Sequence, residues 1–165
     1  MTTCTERITL GLGEMRVVRN QSVILSCVGL GSCVAICAYD PVSRIAGMAH
    51  ITLPVSRGNV DALSAAKYVD TGVPYLIGEM VKQGAVKRRL SVKMVGGAQM
   101  LSIPGSTDRM NIGEKNVEAA RKALQEMGLA LVAHEVGGNM GRTVQMYTDS
   151  GRIHVRTVGC EGRFL

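Results

Sequence analysis

Between Glu6 and Pro54 four stretches follow one another: ERITLGLGEMRVVRN, SVILSCVGLGS, SCVAICAYD and RIAGMAHITLP. Each is dense in β-branched and small apolar residues with a period near two, and each is broken by glycine, the pattern of short strands joined by tight turns. So many strands so early force the chain to build sheet first and then cover it. Large aromatic side chains cannot do the covering, because Trp is absent and Phe occurs once. The core must come from Val, Ile, Leu, Ala and the ten Met.

The covering elements follow. After a polar stretch from Val55 to Ser64, which reads as loop, Val73, Leu76, Ile77, Met80 and Val81 fall on one helical stripe. Asp70 or Thr71 is the expected N-cap, Pro74 is expected in the first turn, and Gly84 the stop. RRLSVKMVGGA reads as a strand entering a turn at Gly96 and Gly97. A second helix is expected from about Asn111, with Val117, Ala120, Leu124 and Met127 inward and Gly128 beyond its end. LALVAHE reads as a strand, GGNMGR as a loop, and RTVQMYT–DSG–RIHVRTV as a hairpin. No repeat or long linker divides the 165 residues, so the expectation is one α/β domain spanning 1–165, helices covering mixed sheets.

Composition narrows the function. No apolar run reaches the roughly 18–20 residues of a membrane span, and the first residues lack a signal peptide's basic-then-apolar order. A cytoplasmic protein with no membrane insertion is expected. The five cysteines, Cys4, Cys27, Cys33, Cys37 and Cys160, are an odd set and read as free thiols. The net charge of +6 favours an anionic partner. With almost no aromatic stacking platforms, an acidic protein surface fits better than nucleic acid.

The chemistry concentrates between Cys27 and His50. If Asp40 to Ser43 form the hairpin loop, Tyr39 opposes Arg44, Cys37 opposes Ala46, and Cys33 opposes His50. Opposed residues have Cβ atoms about 4.5–5.5 Å apart, so thiol and imidazole would share a face, and the imidazole could lower the thiol's pKa. Small residues, Gly31 and Ser32, precede the thiol, and the N–H of Ser32 or Cys33 could bind an oxyanion. That constellation suits attack on a carboxamide or ester, through a thioester that water then cleaves. The competing readings are weaker. Cys37, Cys160 and Cys4 read as structural thiols. A zinc site from Cys27, Cys33, Cys37 and His50 matches no common spacing, and GLGSC lacks the residues of a phosphate loop. No metal or cofactor is expected. His134 reads as structural and His154 as solvated.

In order, GLGSCVAICAYDP, GMAHITLP, KYVDTGVPYLI, VGGAQM, MNIGEKN and EVGGNMGRTV resemble the chemoreceptor glutamine deamidase family, CheD, from about Ile8 to Val158. The resemblance implies an α/β sandwich similar to Cys–His toxin deamidases. It implies a protein-glutamine glutaminase converting receptor glutamines to glutamate, with receptor methyl-ester hydrolysis as a further activity. Its implied partners are the cytoplasmic helices of chemoreceptors and the CheC phosphatase, the free protein being a monomer. It places the nucleophile on Cys33 and the base on His50. Six residues before the nucleophile, where the family often has an orienting threonine, this chain has Cys27. A thiol is a poor partner for imidazole; the Cys27 carbonyl or Ser26 could orient His50 instead. The other reading is a regulatory module that binds CheC or receptors with weak or no catalysis.

Overall fold

The computed structural model describes residues 5–100 and 111–165; Cys4 lies outside them. The order is β1 (Arg7–Thr9), β2 (Met15–Arg19), β3 (Ile24–Leu30), β4 (Val34–Asp40), β5 (Ile45–Ile51), α1 (Val69–Lys82), β6 (Ser91–Gly96), α2 (Ile112–Glu126), β7 (Leu131–Val136), β8 (Arg142–Tyr147), β9 (Ile153–Thr157) and β10 (Arg163–Phe164). Two mixed sheets form, β1-β3-β8-β9-β10 and β2-β5-β4-β6-β7, in which β1/β3 and β6/β7 are the parallel pairs among the described strands. The expected α/β class and both main helices are present. β10 is the strand that the sequence pattern did not announce, because only two residues pair.

Strand alternation makes three layers of this. On β4, Val34, Ile36 and Ala38 face α1 and α2, while Ala35, Cys37 and Tyr39 face the other sheet. The second sheet is therefore covered on both faces, and β4 and β5 are buried throughout. The helix side is filled by Val73, Leu76, Ile77, Met80, Ala120 and Leu124, most of the stripe expected from the sequence; Val81 is exposed. α1 lies close on β5, where a Cβ at Gly47 would stand 2.7 Å from the Met80 sulfur.

Local chemistry alters several expectations. α1 starts at Val69, before both expected caps, and its N-cap Tyr68 makes no side-chain bond. Instead the N–H groups of Val69 and Asp70 donate to the carbonyls of Leu53 and Pro54, so backbone satisfies the helix start. That frees the Asp70 carboxylate to hold Ser56 through N–H and hydroxyl, both at 2.9 Å. Pro74 then lies inside the helix rather than in its first turn. Gly84 does end α1, at φ +111, and Asn111 does cap α2, accepting from Glu114 N–H at 3.1 Å. Cys37 is buried as expected, but Cys160 is exposed, since it follows the turn after β9 rather than a core strand. His134 is exposed on edge strand β7, whereas His154 is half-buried, edge-on to Phe164 at 5.2 Å between centroids.

The hairpin register also differs. The loop is Pro41–Arg44, so Asp40 pairs with Ile45, Ala35 with His50 and Val34 with Ile51. Asp40 is the reason. Its fully buried carboxylate accepts from Val42 N–H (3.0 Å) and Ser43 N–H (3.3 Å) inside the turn. It also accepts from Val86 N–H (2.8 Å) and the Arg89 guanidinium (2.8 Å) ahead of β6. Asp40 thus closes β4 and cannot serve as a loop position. Burial alone would raise this carboxyl; Arg89 and the N–H groups of Val86 and Ser43 outweigh it and hold it well below the usual carboxylate range. Being ionised in the folded state, it contributes stability above its unfolded pKa of about 3.9. That contribution is lost as pH falls from there toward the depressed folded value. Asp40→Ala should cost about 3 kcal/mol in urea unfolding at pH 7, because four donors lose their acceptor. The gap to wild type should shrink as pH drops below about 4; an undiminished gap at pH 2.5 would count against the buried carboxylate as its source.

Candidate active site

The shifted register moves the two catalytic candidates without separating their faces. A slip of two residues preserves side-chain parity, so Cys33, Ala35 and Cys37 still share the inter-sheet face with Met48 and His50. Cys33, immediately before β4, stands diagonal to His50 rather than directly opposite, a relation of about 7–8 Å between backbones that long side chains can close.

The residues leading into β4 are held by their carbonyls. Gly31 O accepts from Ala98 N–H at 2.8 Å, Ser32 O from Asn116 Nδ2 at 2.9 Å, and Cys33 O from Gly97 N–H at 2.8 Å. Gly96 has to be glycine here: it adopts φ +117, and any Cβ would collide with the Cys33 carbonyl. Gly31, Ser32 and Cys33 are all half-buried. Burial pushes the Cys33 thiol above its ordinary value, while its own backbone N–H pulls the other way. That N–H belongs to the same residue as the sulfur, and a donor to an oxyanion formed there has to be close to it. The direction in which the resting thiol's pKa moves is set by burial and by its own backbone, without a contribution from His50.

His50 is 4% exposed. Its backbone N–H donates to Glu14 O and its carbonyl accepts from Gly13 N–H, both at 2.9 Å, which ties β5 to the β1–β2 connection. Its Nδ1 lies 3.0 Å from the carbonyl oxygen of Leu10. A carbonyl only accepts, so Nδ1 carries a proton, and in the neutral ring Nε2 holds the lone pair. Nε2 is buried and makes no hydrogen bond among the described residues. The ring is thus oriented by Leu10 O, and Leu10 is itself anchored by donating its N–H to Ser26 O at 2.8 Å.

Neither the Cys27 carbonyl nor Ser26, the groups expected to orient His50, does so; the carbonyl at Nδ1 is that of Leu10. Cys27 is fully buried, with its sulfur 3.5 Å from the sulfur of Met48, and burial, followed by the neighbouring Cys37 and Cys33 thiols, drives its pKa far up. Ser26 alternates with Leu25 and Cys27 and so faces away from the inter-sheet layer, its hydroxyl without a partner among the described residues. Sequence reasoning missed Leu10 because a backbone carbonyl has no residue-type signature. Asn116 was missed too. It is a fully buried amide on α2 with Nδ2 also donating to Thr52 O at 3.0 Å, and an Asn inside a helical stripe is a signal that could have been read.

Where the chain leaves β5 after His50, a groove of about 520 Å³ is lined by Leu12, Gly13, Thr52, Leu53, Leu63 and Lys67, among others. Leu12 and Leu63 are exposed apolar side chains at its rim. Among the described residues no three His, Cys, Asp or Glu gather as metal ligands, and no helix is long and apolar enough to cross a membrane.

Residues 52–157 match the family model described as CheD chemotactic sensory transduction. Curated relatives align over nearly the full length. The probable chemoreceptor glutamine deamidase CheD of Caldanaerobacter subterraneus subsp. tengcongensis is 44% identical over 152 residues, covering 92% of this chain and 93% of its own. The chemoreceptor glutamine deamidase CheD of Thermotoga maritima is 45% identical over 150 residues, 91% of each. That of Halalkalibacterium halodurans is 41% identical over 152 residues, 92% of this chain and 93% of its own. The family model begins after His50, but a 152-residue alignment on this chain necessarily includes Cys33 and His50.

The raised thiol has a measurable consequence. At pH 7 the Cys33 thiolate fraction should be below the few per cent of a free cysteine. Iodoacetamide labelling, read by mass spectrometry of the Cys33 peptide against exposed Cys160, should be slow at neutral pH and still climbing past pH 9. A rate plateau below pH 8 would show a thiol ionised by its surroundings at rest.

Proposed function

The chain belongs to the CheD family, and on that premise we propose that it is a hydrolase deamidating glutamine side chains of chemoreceptors, with Cys33 as nucleophile and His50 as base. The observation that carries the mechanism is the buried, unpaired Nε2 of a histidine whose Nδ1–H is committed to Leu10 O, on the face shared with Cys33. The half-buried thiol is protonated at rest. As the substrate carboxamide seats against it, the S–H proton passes to Nε2 and the sulfur attacks the side-chain carbonyl carbon. The oxygen that gains the electron pair is met by the Cys33 N–H. Collapse of this adduct breaks the C–N bond; His50 returns its proton to the departing amine, and ammonia leaves a thioester. Water, deprotonated by the same Nε2, attacks the thioester, and the C–S bond breaks to free glutamate and the thiol. A methyl ester would pass through the same thioester with methanol as the leaving group, so methylesterase activity needs no further residue.

The groove at Leu12, Leu63 and Lys67 gives a receptor helix an apolar seat with a cation at its edge. The basic surface suits glutamate-rich segments. CheC is the second partner of this reading, and catalysis in a cytoplasmic monomer its setting.

The regulatory-module alternative rested on the cysteine at position 27. With the imidazole oriented by a backbone carbonyl, that substitution gives no reason for weak catalysis. The test incubates receptor cytoplasmic fragments with wild type and variants and maps amide-to-acid mass changes. Wild type should convert selected glutamines and Cys33→Ala none, and His50→Gln should lower the rate by about 10²-fold or more. Equal conversion by Cys33→Ala and wild type would sink the nucleophile assignment. Cys27→Thr should leave the rate within about threefold, since a buried residue that does not orient the base removes little transition-state binding. A hundredfold change in either direction would return the orienting role to position 27.

A further inference from the structure

We propose that Asn116 is a positioning residue that aims the oxyanion donor of Cys33, an inference that rests on the cysteine–histidine reading above. Asn116 is fully buried, and its Nδ2 donates to Ser32 O at 2.9 Å and Thr52 O at 3.0 Å. Its orientation is settled by its surroundings. Both neighbours are carbonyl oxygens, which only accept, so the NH₂ end must face them. The Oδ1 is left buried with no partner among the described residues. An unpaired buried acceptor costs about 1–3 kcal/mol, so this side chain is kept for its two donors.

The two carbonyls are not arbitrary. Ser32 O and Cys33 N–H belong to one peptide unit, which is planar and trans, so the two groups point in opposite directions. Drawing the Ser32 carbonyl toward α2 turns the Cys33 N–H away from α2, to the side where the thiol lies. Donation to the carbonyl also polarises that peptide and strengthens its N–H as a donor. Thr52 follows His50 by two residues, so the second bond fastens the end of β5 to the same amide. One side chain thereby fixes the strand carrying the base relative to the peptide carrying the donor. Gly97 N–H and Ala98 N–H hold the flanking carbonyls of Cys33 and Gly31. The Ser32 carbonyl, the one sharing a peptide with the donor, is the one held by a replaceable side chain.

A residue acting on the oxyanion donor affects acyl chemistry and spares chemistry that develops no oxyanion. Alkylation by iodoacetamide is such a reaction: it uses the same Cys33 sulfur but displaces iodide at a saturated carbon. The experiment compares wild type with Asn116→Asp, which keeps the shape and puts an acceptor against the two carbonyls. It measures kcat and KM on receptor fragments, the pH profile of Cys33 alkylation, and the thermal midpoint. Asn116→Asp should lower kcat by about 10–100-fold, within the range for weakening one oxyanion donor. KM should stay within twofold and the alkylation profile should be unchanged. If Asn116→Asp does not fold, the same comparison is made on Asn116→Ser, whose hydroxyl can donate and should recover part of kcat relative to Asn116→Ala. Unchanged kcat, or kcat and alkylation falling in parallel, would overturn the assignment. Cys33→Ala in the same assay separates the two failures. If it stays active the nucleophile reading is wrong, whereas if it is dead and Asn116 variants are normal, only the positioning role is.

Discussion

The structure hangs on the register of β4 against β5, and that register is set at its closed end by Asp40. A carboxylate buried without solvent must collect donors or neutralise. Asp40 collects them from its own turn and from the segment leading into β6. The same four-donor knot therefore ends β4, forms the turn and places β6 alongside. Strands so constrained at one end deliver their other ends in fixed relation. Those other ends carry Cys33, His50 and Gly96.

At the end that carries Cys33 and His50 the backbone does most of the organising. The imidazole is oriented by a carbonyl, the three residues up to Cys33 are held by their carbonyls, and the donor proposed for the oxyanion is an N–H. This makes the site tolerant of side-chain change nearby. Cys27 can occupy the position where the family resemblance leads one to expect threonine because its sulfur packs against Met48 and the histidine takes its partner from β1's extension. The core around it sets the sulfur side chains of Cys37, Met48 and Met146 among Val, Leu and Ile.

Legibility differed by level. Strands and helices were readable because their apolar periods of 2 and 3.6 are local properties of the chain. The helix start at Val69 was not, because its donors are satisfied by Leu53 and Pro54, carbonyls that no cap rule counts. The candidate pair was readable in kind, since the spacing from Cys33 to His50 spans one hairpin. Its register was off by two because Asp40, a good loop residue by propensity, is held in the strand by Arg89, which is distant in sequence.

By itself, then, the sequence determined that one hairpin joins Cys33 to His50, and that the two share a face whenever its loop holds an even number of residues. Both strands are buried on both faces, so burial does not choose the parity; the four-residue turn closed by Asp40 does. Only the tertiary structure decided what acts on that pair. Leu10 O, Gly97 N–H and Asn116 Nδ2 come from three separate elements, and two of the three are backbone groups that every residue possesses. Such partners are selected by where the layers bring them, and no pattern of residue types along the chain records that.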